Sequence, residues 1–198
     1  VLTSDHGDLL GDHWLWAADT WHEQAFRVPL LIRDPRSIST AGRGTKVEAF
    51  TESVDVTPTI IGVMGGRCDG VDGCSLEPFL KASCPKQWRA AAHWELDFRD
   101  GILPGLQADL GLASGTANLA TRRTSNSLFV MFADMAPLLF DLKEDPGCLH
   151  NRACDAAHSQ TLGAGAAAML RWRMASQDRG LTNVRIGSDG CQMLPEQD

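Results

Sequence analysis

Two short runs, Asn118–Arg123 and Ser127–Ala133, flank a short polar turn, and no other stretch constrains the fold as much. Runs of this length rich in Leu, Val, Phe and Thr, closed by a few polar residues, form an antiparallel hairpin. Pro137–Leu142 adds a third strand before the turn residues Glu144-Asp145-Pro146-Gly147. Upstream, Arg89–Asp100 alternates His93, Glu95 and Asp97 with Trp94, Leu96 and Phe98, the period of a strand with two unlike faces. Ala156–Arg179 is Ala-rich, with Leu162, Met169, Leu170 and Trp172 at helical spacing; Gly163 and Gly165 weaken its first third. Residues 86–180 are therefore expected to form a small antiparallel sheet with a covering C-terminal helix. Residues 181–198 read as an extended polar tail.

Residues 1–85 have a different grammar. Val1–Ser4 reads as the carboxyl end of a buried strand, and Val28–Arg33 as a short parallel strand that Pro29 pushes towards an edge. Ser37–Lys46 is a Gly/Ser/Thr-rich loop. A helix follows, with Asp55 as its cap, Pro58 in its first turn, an apolar stripe of Ile60, Ile61, Val63 and Met64, and Gly65–Gly66 as its stop. A shorter helix is expected over Leu76–Ala82. The fold class is α/β for this portion. The opening Val1-Leu2-Thr3-Ser4, without an initiator Met or a basic n-region, implies that the true N-terminus lies upstream.

Charge and cysteine usage narrow the function. Among 198 residues, 25 are acidic and 18 basic, a net charge of −7 that repels a phosphate backbone and argues against nucleic acid as a partner. The longest apolar run, Leu128–Ala133, is far short of the ~20 residues of a membrane span. The six cysteines show no CxxC pair. An even number permits disulfides, but scattered reduced thiols suit a chain with an ordinary core and a cytoplasmic location.

The chemistry concentrates at Ser4-Asp5-His6-Gly7-Asp8. This turn follows a strand end, where ligands gather in open α/β sheets. A carboxylate and an imidazole on one tight turn can face one cation, and a carboxylate-rich site with a single His suits Mn²⁺, Ca²⁺ or Mg²⁺. Alone, the tripeptide reads equally well as a surface turn with a solvated His.

Its surroundings decide between these. Ser4-Asp5-His6-Gly7-Asp8-Leu9-Leu10-Gly11-Asp12-His13-Trp14-Leu15 resembles the second metal-binding motif of the sulfatases, a branch of the alkaline-phosphatase-like superfamily. Phe26-Arg27-Val28-Pro29-Leu30, Thr51–Ile60 and Asp72–Leu76 match its next signatures in order. His93–Asp100, Pro137–Leu142 with Glu144-Asp145-Pro146, Trp172-Arg173 and Leu181-Thr182 resemble the phosphonate monoester hydrolase and phosphodiesterase subgroup. The chain thus looks like the C-terminal part of an alkaline-phosphatase-like α/β sandwich.

The resemblance implies that Asp5 and His6 bind one divalent metal, shared with upstream aspartates and with a formylglycine made from a C/S-x-P-x-R motif. No cysteine here is followed by x-P-x-R, so the nucleophile is expected before Val1. One Asp and one His are too few ligands for a stable divalent site, so the chain alone should be inactive. The implied substrate is a small phosphonate, phosphate or sulfate ester, and the implied full-length form a homo-oligomer. The family's usual Gly-Lys pair, whose lysine contacts the substrate's anionic oxygens, is Ala17-Ala18 here. A stand-alone structural or oligomerisation module, or a degenerate pseudoenzyme, is the alternative. Around this core, Asp12 and His13 read as pocket rim or helix cap rather than a second metal site, and His22 and Glu23 as structural. Arg27 reads as packing, His93 as a hydrogen-bonded histidine beside the sheet, and Trp94 and Trp172 as core or interface. Arg122 and Arg123 form too small a patch to recruit an anionic partner.

Overall fold

The computed structural model describes residues 1–36, 42–99, 106–176, 184–188 and 190–193. In chain order the elements are α1 (Glu23–Phe26), α2 (Val56–Val63), α3 (Glu77–Leu80), β1 (Ala91–Asp97), α4 (Leu106–Asp109), β2 (Asn118–Thr124), β3 (Ser127–Phe132), β4 (Leu138–Asp141), α5 (Ser159–Ala175), β5 (Val184–Gly187) and β6 (Gly190–Met193).

β1 to β4 form one antiparallel meander in sequence order. The register sets His93 opposite Arg122, Arg122 opposite Phe129 and Phe129 opposite Leu139, so one row of side chains crosses all four strands. The expected hairpin closes where Thr124 Oγ1 accepts the Ser127 N–H at 3.0 Å. Because side chains alternate across a strand, the sheet has two apolar faces. Ala120, Phe129 and Leu139 pack with Met169, Leu162, Ala166 and Trp172 of α5. Leu119, Val130 and Phe132 face the other way, against Trp21, Leu96, Phe98 and Leu138.

Gly165 has a purpose that helix propensity does not show. A Cβ there would lie 3.1 Å from the Phe129 ring, so the bare backbone lets α5 settle onto β3. Gly163 has open space around it. α5 starts after a 3₁₀ turn at Ala156–His158 and is capped by Ser176; the expected continuation to Arg179 lies outside the described residues. In the tail, β5 and β6 pair as an antiparallel ribbon, and residues 181–183 and 194–198 lie outside the description.

α2 ends as expected, by a Schellman motif: Gly65, at φ 83°, donates to the Gly62 carbonyl and Gly66 to that of Ile61. Its start is different. The Asp55 carboxylate caps no helical N–H of α2. Fully buried, it accepts the Glu52 and Cys74 N–H groups at 2.8 Å each and takes the Arg89 guanidinium bidentately at 2.6 and 2.7 Å. The buried side of α2 is Pro58 and Thr59, whereas Ile60 and Met64 are exposed. Thr59 Oγ1 donates to the Asp55 carbonyl and accepts the Leu76 N–H, so polar ties, more than the apolar stripe, dock this helix.

Val28–Arg33 also differs from the parallel strand expected of it. Its one link to Val1–Ser4 is an antiparallel bridge between Leu2 and Leu31, each 60% exposed. Short apolar runs become buried strands only when neighbours flank them, and among the described residues no further strand flanks this pair. Among the described residues, Cys68, Cys74, Cys84, Cys148 and Cys154 are free thiols. Among the described residues no helix is long and apolar enough to cross a membrane.

Candidate metal-binding loop

The Leu2–Leu31 bridge fixes the chain just before Asp5 and His6, and local hydrogen bonds set both side chains. Ser4 Oγ donates to the His6 carbonyl at 2.8 Å, and Asp5 Oδ1 accepts the His6 N–H at 3.0 Å. His6 Nδ1 lies 2.7 Å from the Gly7 carbonyl oxygen. A carbonyl can only accept, so Nδ1 carries the proton and Nε2 keeps its lone pair, as in metal-ligating histidines oriented by a backbone partner. Nε2 stands 3.9 Å from Asp5 Oδ2. Two donors at that separation can both reach one cation at bond lengths of about 2.0–2.6 Å.

The two groups also act on one another electrostatically. The His6 N–H, more than the neighbouring imidazole, holds the Asp5 carboxyl below the usual carboxylate range. The Gly7 carbonyl, followed by Asp5, raises the His6 imidazole. Both side chains are open to solvent, His6 at 61% and Asp5 at 87%. Among the described residues no third His, Cys, Asp or Glu completes a metal cluster. Asp5 and His6 thus stand as a pair, with no third such group beside them among the described residues.

Gly7 anchors the loop. Its N–H donates to the Ala25 carbonyl at 2.8 Å, and a Cβ would stand 2.1 Å from the Gln24 carbonyl oxygen, so only glycine fits against α1. Asp8, which sequence reasoning had not singled out, clasps the loop that follows. Its Oδ1 accepts the Leu10 N–H at 2.9 Å and the Ala17 N–H at 3.1 Å, while Leu9 donates to the Ala17 carbonyl. Residues 9–16 therefore bulge out and return Ala17-Ala18 to the neighbourhood of Asp8. Trp14 and Trp16 are exposed on that bulge.

Ala17 has φ 68°, in the left-handed region where a Cβ costs about 1–2 kcal/mol. Its position is the glycine of the Gly-Lys pair in the resemblance described above. Ala17→Gly is expected to raise the melting temperature by a few degrees, the effect of about 1 kcal/mol in a chain of this size, and calorimetry checks it.

The remaining candidates divide clearly. His13 lies in a 3₁₀ turn and stacks on His22, with ring centroids 3.6 Å apart. Burial, and then the His13 ring, pull the His22 imidazole down to about 4, so it is neutral at pH 7. Glu23 bridges Arg27 and Arg123. Arg27 was expected to pack, but its side chain is 71% exposed, pairs with the Glu23 carboxylate four residues back on α1, and also acts on Glu48. His93 stacks on Trp172 at 4.6 Å and faces Glu52 at 3.4 Å, a satisfied histidine beside the sheet. Trp94 stacks on Phe26.

Comparison with known proteins agrees with this arrangement. A family model described as Sulfatase matches residues 1–66. The chain is 39% identical over 191 residues to the multifunctional alkaline phosphatase superfamily protein PehA of Trinickia caryophylli, covering 96% of this chain and 37% of that protein. The crystal structure of the phosphonate monoester hydrolase of Agrobacterium radiobacter superposes with a TM-score of 0.85 at 36% identity, over 98% of this chain and 38% of that one. The phosphonate monoester hydrolase SpPMH from Silicibacter pomeroyi gives 0.83 at 36% identity, over 99% and 38%. The chain thus spans under two-fifths of the length of these relatives. The ordered motifs, the sheet with its covering helix and these likenesses converge: the chain belongs to the sulfatase family of the alkaline-phosphatase-like superfamily and matches its C-terminal region.

Proposed function

We propose that this chain supplies the C-terminal share of a metal-dependent hydrolase of phosphonate monoesters, phosphodiesters or sulfate esters. The observation that carries this reading is the Asp5–His6 pair, with a lone pair on His6 Nε2 3.9 Å from an Asp5 carboxylate oxygen. These two residues would hold one divalent cation together with ligands outside this chain. When bound, such a cation stabilises negative charge on the group being transferred. Asp5 contributes charge to the site, and the Gly7 carbonyl keeps the His6 ring in the tautomer that can ligate. The nucleophile, a formylglycine, would likewise come from residues outside this chain, and the chain alone would be inactive.

A second reading, a degenerate member with weakened turnover, draws support from Ala18. A charge-assisted contact is worth about 1.5–3 kcal/mol, so its absence corresponds to a tenfold to hundredfold loss.

Metal analysis of the protein that carries this chain tests the first reading. One equivalent of divalent metal is expected, falling at least tenfold in Asp5→Ala and in His6→Ala, together with a tryptic peptide bearing a Cys or Ser converted to the aldehyde. Metal-free protein, or metal retained by both variants, would sink it. An unconverted peptide in a metal-loaded protein would favour the degenerate reading.

A further inference from the structure

Between the 13–27 segment, the end of β2 and the turn after Asp145 lies a cavity of about 350 Å³, within the range of small-ligand sites. Its wall unites residues distant in sequence: His13, His22, Glu23, Arg27, Arg123 and Cys148. Their charges do not balance. Among the lining side chains two guanidinium groups face one carboxylate, while Glu48 acts on Arg27 and Asp145 on Cys148 from outside the wall. Burial pushes the Cys148 thiol up to about 11, so it adds no charge, and His22 is neutral.

The hydrogen bonding is also incomplete. Glu23 divides its carboxylate, with Oε1 accepting from Arg27 Nη1 at 2.9 Å and Oε2 from Arg123 Nε at 3.1 Å. Arg123 Nη1 donates to the Thr124 carbonyl at 2.8 Å. Arg27 Nε and Nη2 and Arg123 Nη2 find no hydrogen-bond partner among the described residues, and the Arg123 guanidinium lies over the Phe50 ring at 5.5 Å. A guanidinium is a planar fork that binds an oxyanion through two parallel N–H groups; Arg27 keeps its Nε–Nη2 edge whole, whereas Arg123, bonded through Nε and Nη1, keeps Nη2. A structural ion pair needs neither the cavity nor the second arginine. An apolar ligand would leave the spare donors unmet.

We propose that this cavity binds a small oxyanion, the carboxylate, phosphate or sulfate group of a ligand, on the free Nε–Nη2 edge of Arg27 and the spare Nη2 of Arg123, with Glu23 as a built-in competitor. The inference is independent of the hydrolase reading, because none of these residues belongs to the Asp5–His6 pair. It makes a prediction of inverted sign: removing a charge from the site should strengthen binding.

Equilibrium dialysis of the protein that carries this chain, in an Asp5→Ala, His6→Ala background, against radiolabelled sulfate, phosphate and acetate at ionic strength fixed with chloride tests it. One saturable site is expected, and the most strongly retained of the three anions identifies the ligand group. Glu23→Gln should tighten binding about tenfold and Arg27→Gln weaken it about tenfold, the scale of one charge-assisted contact. Circular dichroism establishes that each variant is folded. If Glu23→Gln unfolds, Arg27→Gln decides, since its exposed side chain supports no packing. Displacement of the label by chloride alone, or uptake unchanged in the folded variants, would overturn the proposal.

Discussion

Arg89→Met should destabilise the chain by about 3–5 kcal/mol, the cost of leaving a buried carboxylate without its partner. Asp55 is fully buried, and its two oxygens take both Arg89 Nη groups and two backbone N–H groups. Arg89 also stands 3.1 Å from Glu52, whose Oε1 accepts the His93 N–H and lies 3.4 Å from that ring. One guanidinium therefore joins the turn before α2, the loop at Cys74 and the first strand of the sheet. With total stabilities of about 5–15 kcal/mol for a typical domain, such a loss brings a chain close to unfolding. Urea denaturation measures it. The double variant Arg89→Met with Asp55→Leu removes charge and partner together and should recover part of the loss; a loss equal to the sum of the singles would mean the pair is not coupled. The same cluster sets a pH dependence. Burial pushes the Glu52 carboxyl up, but the hydrogen bonds from His93 and the charge of Arg89 outweigh it and hold the group below the usual carboxylate range. A depressed carboxyl stabilises the fold above its unfolded value and loses that contribution as pH falls through the folded one.

This cluster also marks where reading the sequence stops. The meander was legible because each strand carries its own period and its own turn residues, and a hairpin needs nothing distant to define it. α2 was legible at its end, where Gly65-Gly66 acts locally, but not at its start. Asp55 has the residue type and position of a cap, and only the fold shows that Cys74 and Arg89 claim its oxygens instead. Gly165 looks like a weak point in a helix until Phe129 is seen against it. At the candidate site, the adjacency of Asp5 and His6 is a sequence fact. The clasp from Asp8 to Ala17 spans nine residues and the cavity unites positions 13 to 148, so neither has a local signature.

On the proposed hydrolase function, Ala18→Lys, made in the protein that carries this chain, should raise turnover of a phosphonate, phosphate or sulfate ester about tenfold to hundredfold, the scale of one charge-assisted contact. The argument is local. Residues 1–26 contain five carboxylates, Asp5, Asp8, Asp12, Asp19 and Glu23, and no lysine or arginine. An anionic substrate approaching Asp5 and His6 therefore meets no cationic side chain from this stretch of the chain. The Asp8 clasp brings position 17 back beside residues 8 and 9, so a lysine at position 18 would stand at the same loop junction as the candidate metal pair. Its ammonium would gain from the surrounding carboxylates in the free protein. Only the share of its interaction that grows as charge develops on the transferred group would raise kcat, and the rest would lower KM. Ala18→Met supplies length without charge and should leave both constants where they are. The double variant Ala17→Gly with Ala18→Lys relieves the left-handed backbone at the same step, and should be both more active and more stable than the parent. A lysine variant no faster than the methionine one would show that the substrate's charge is met by another part of the protein.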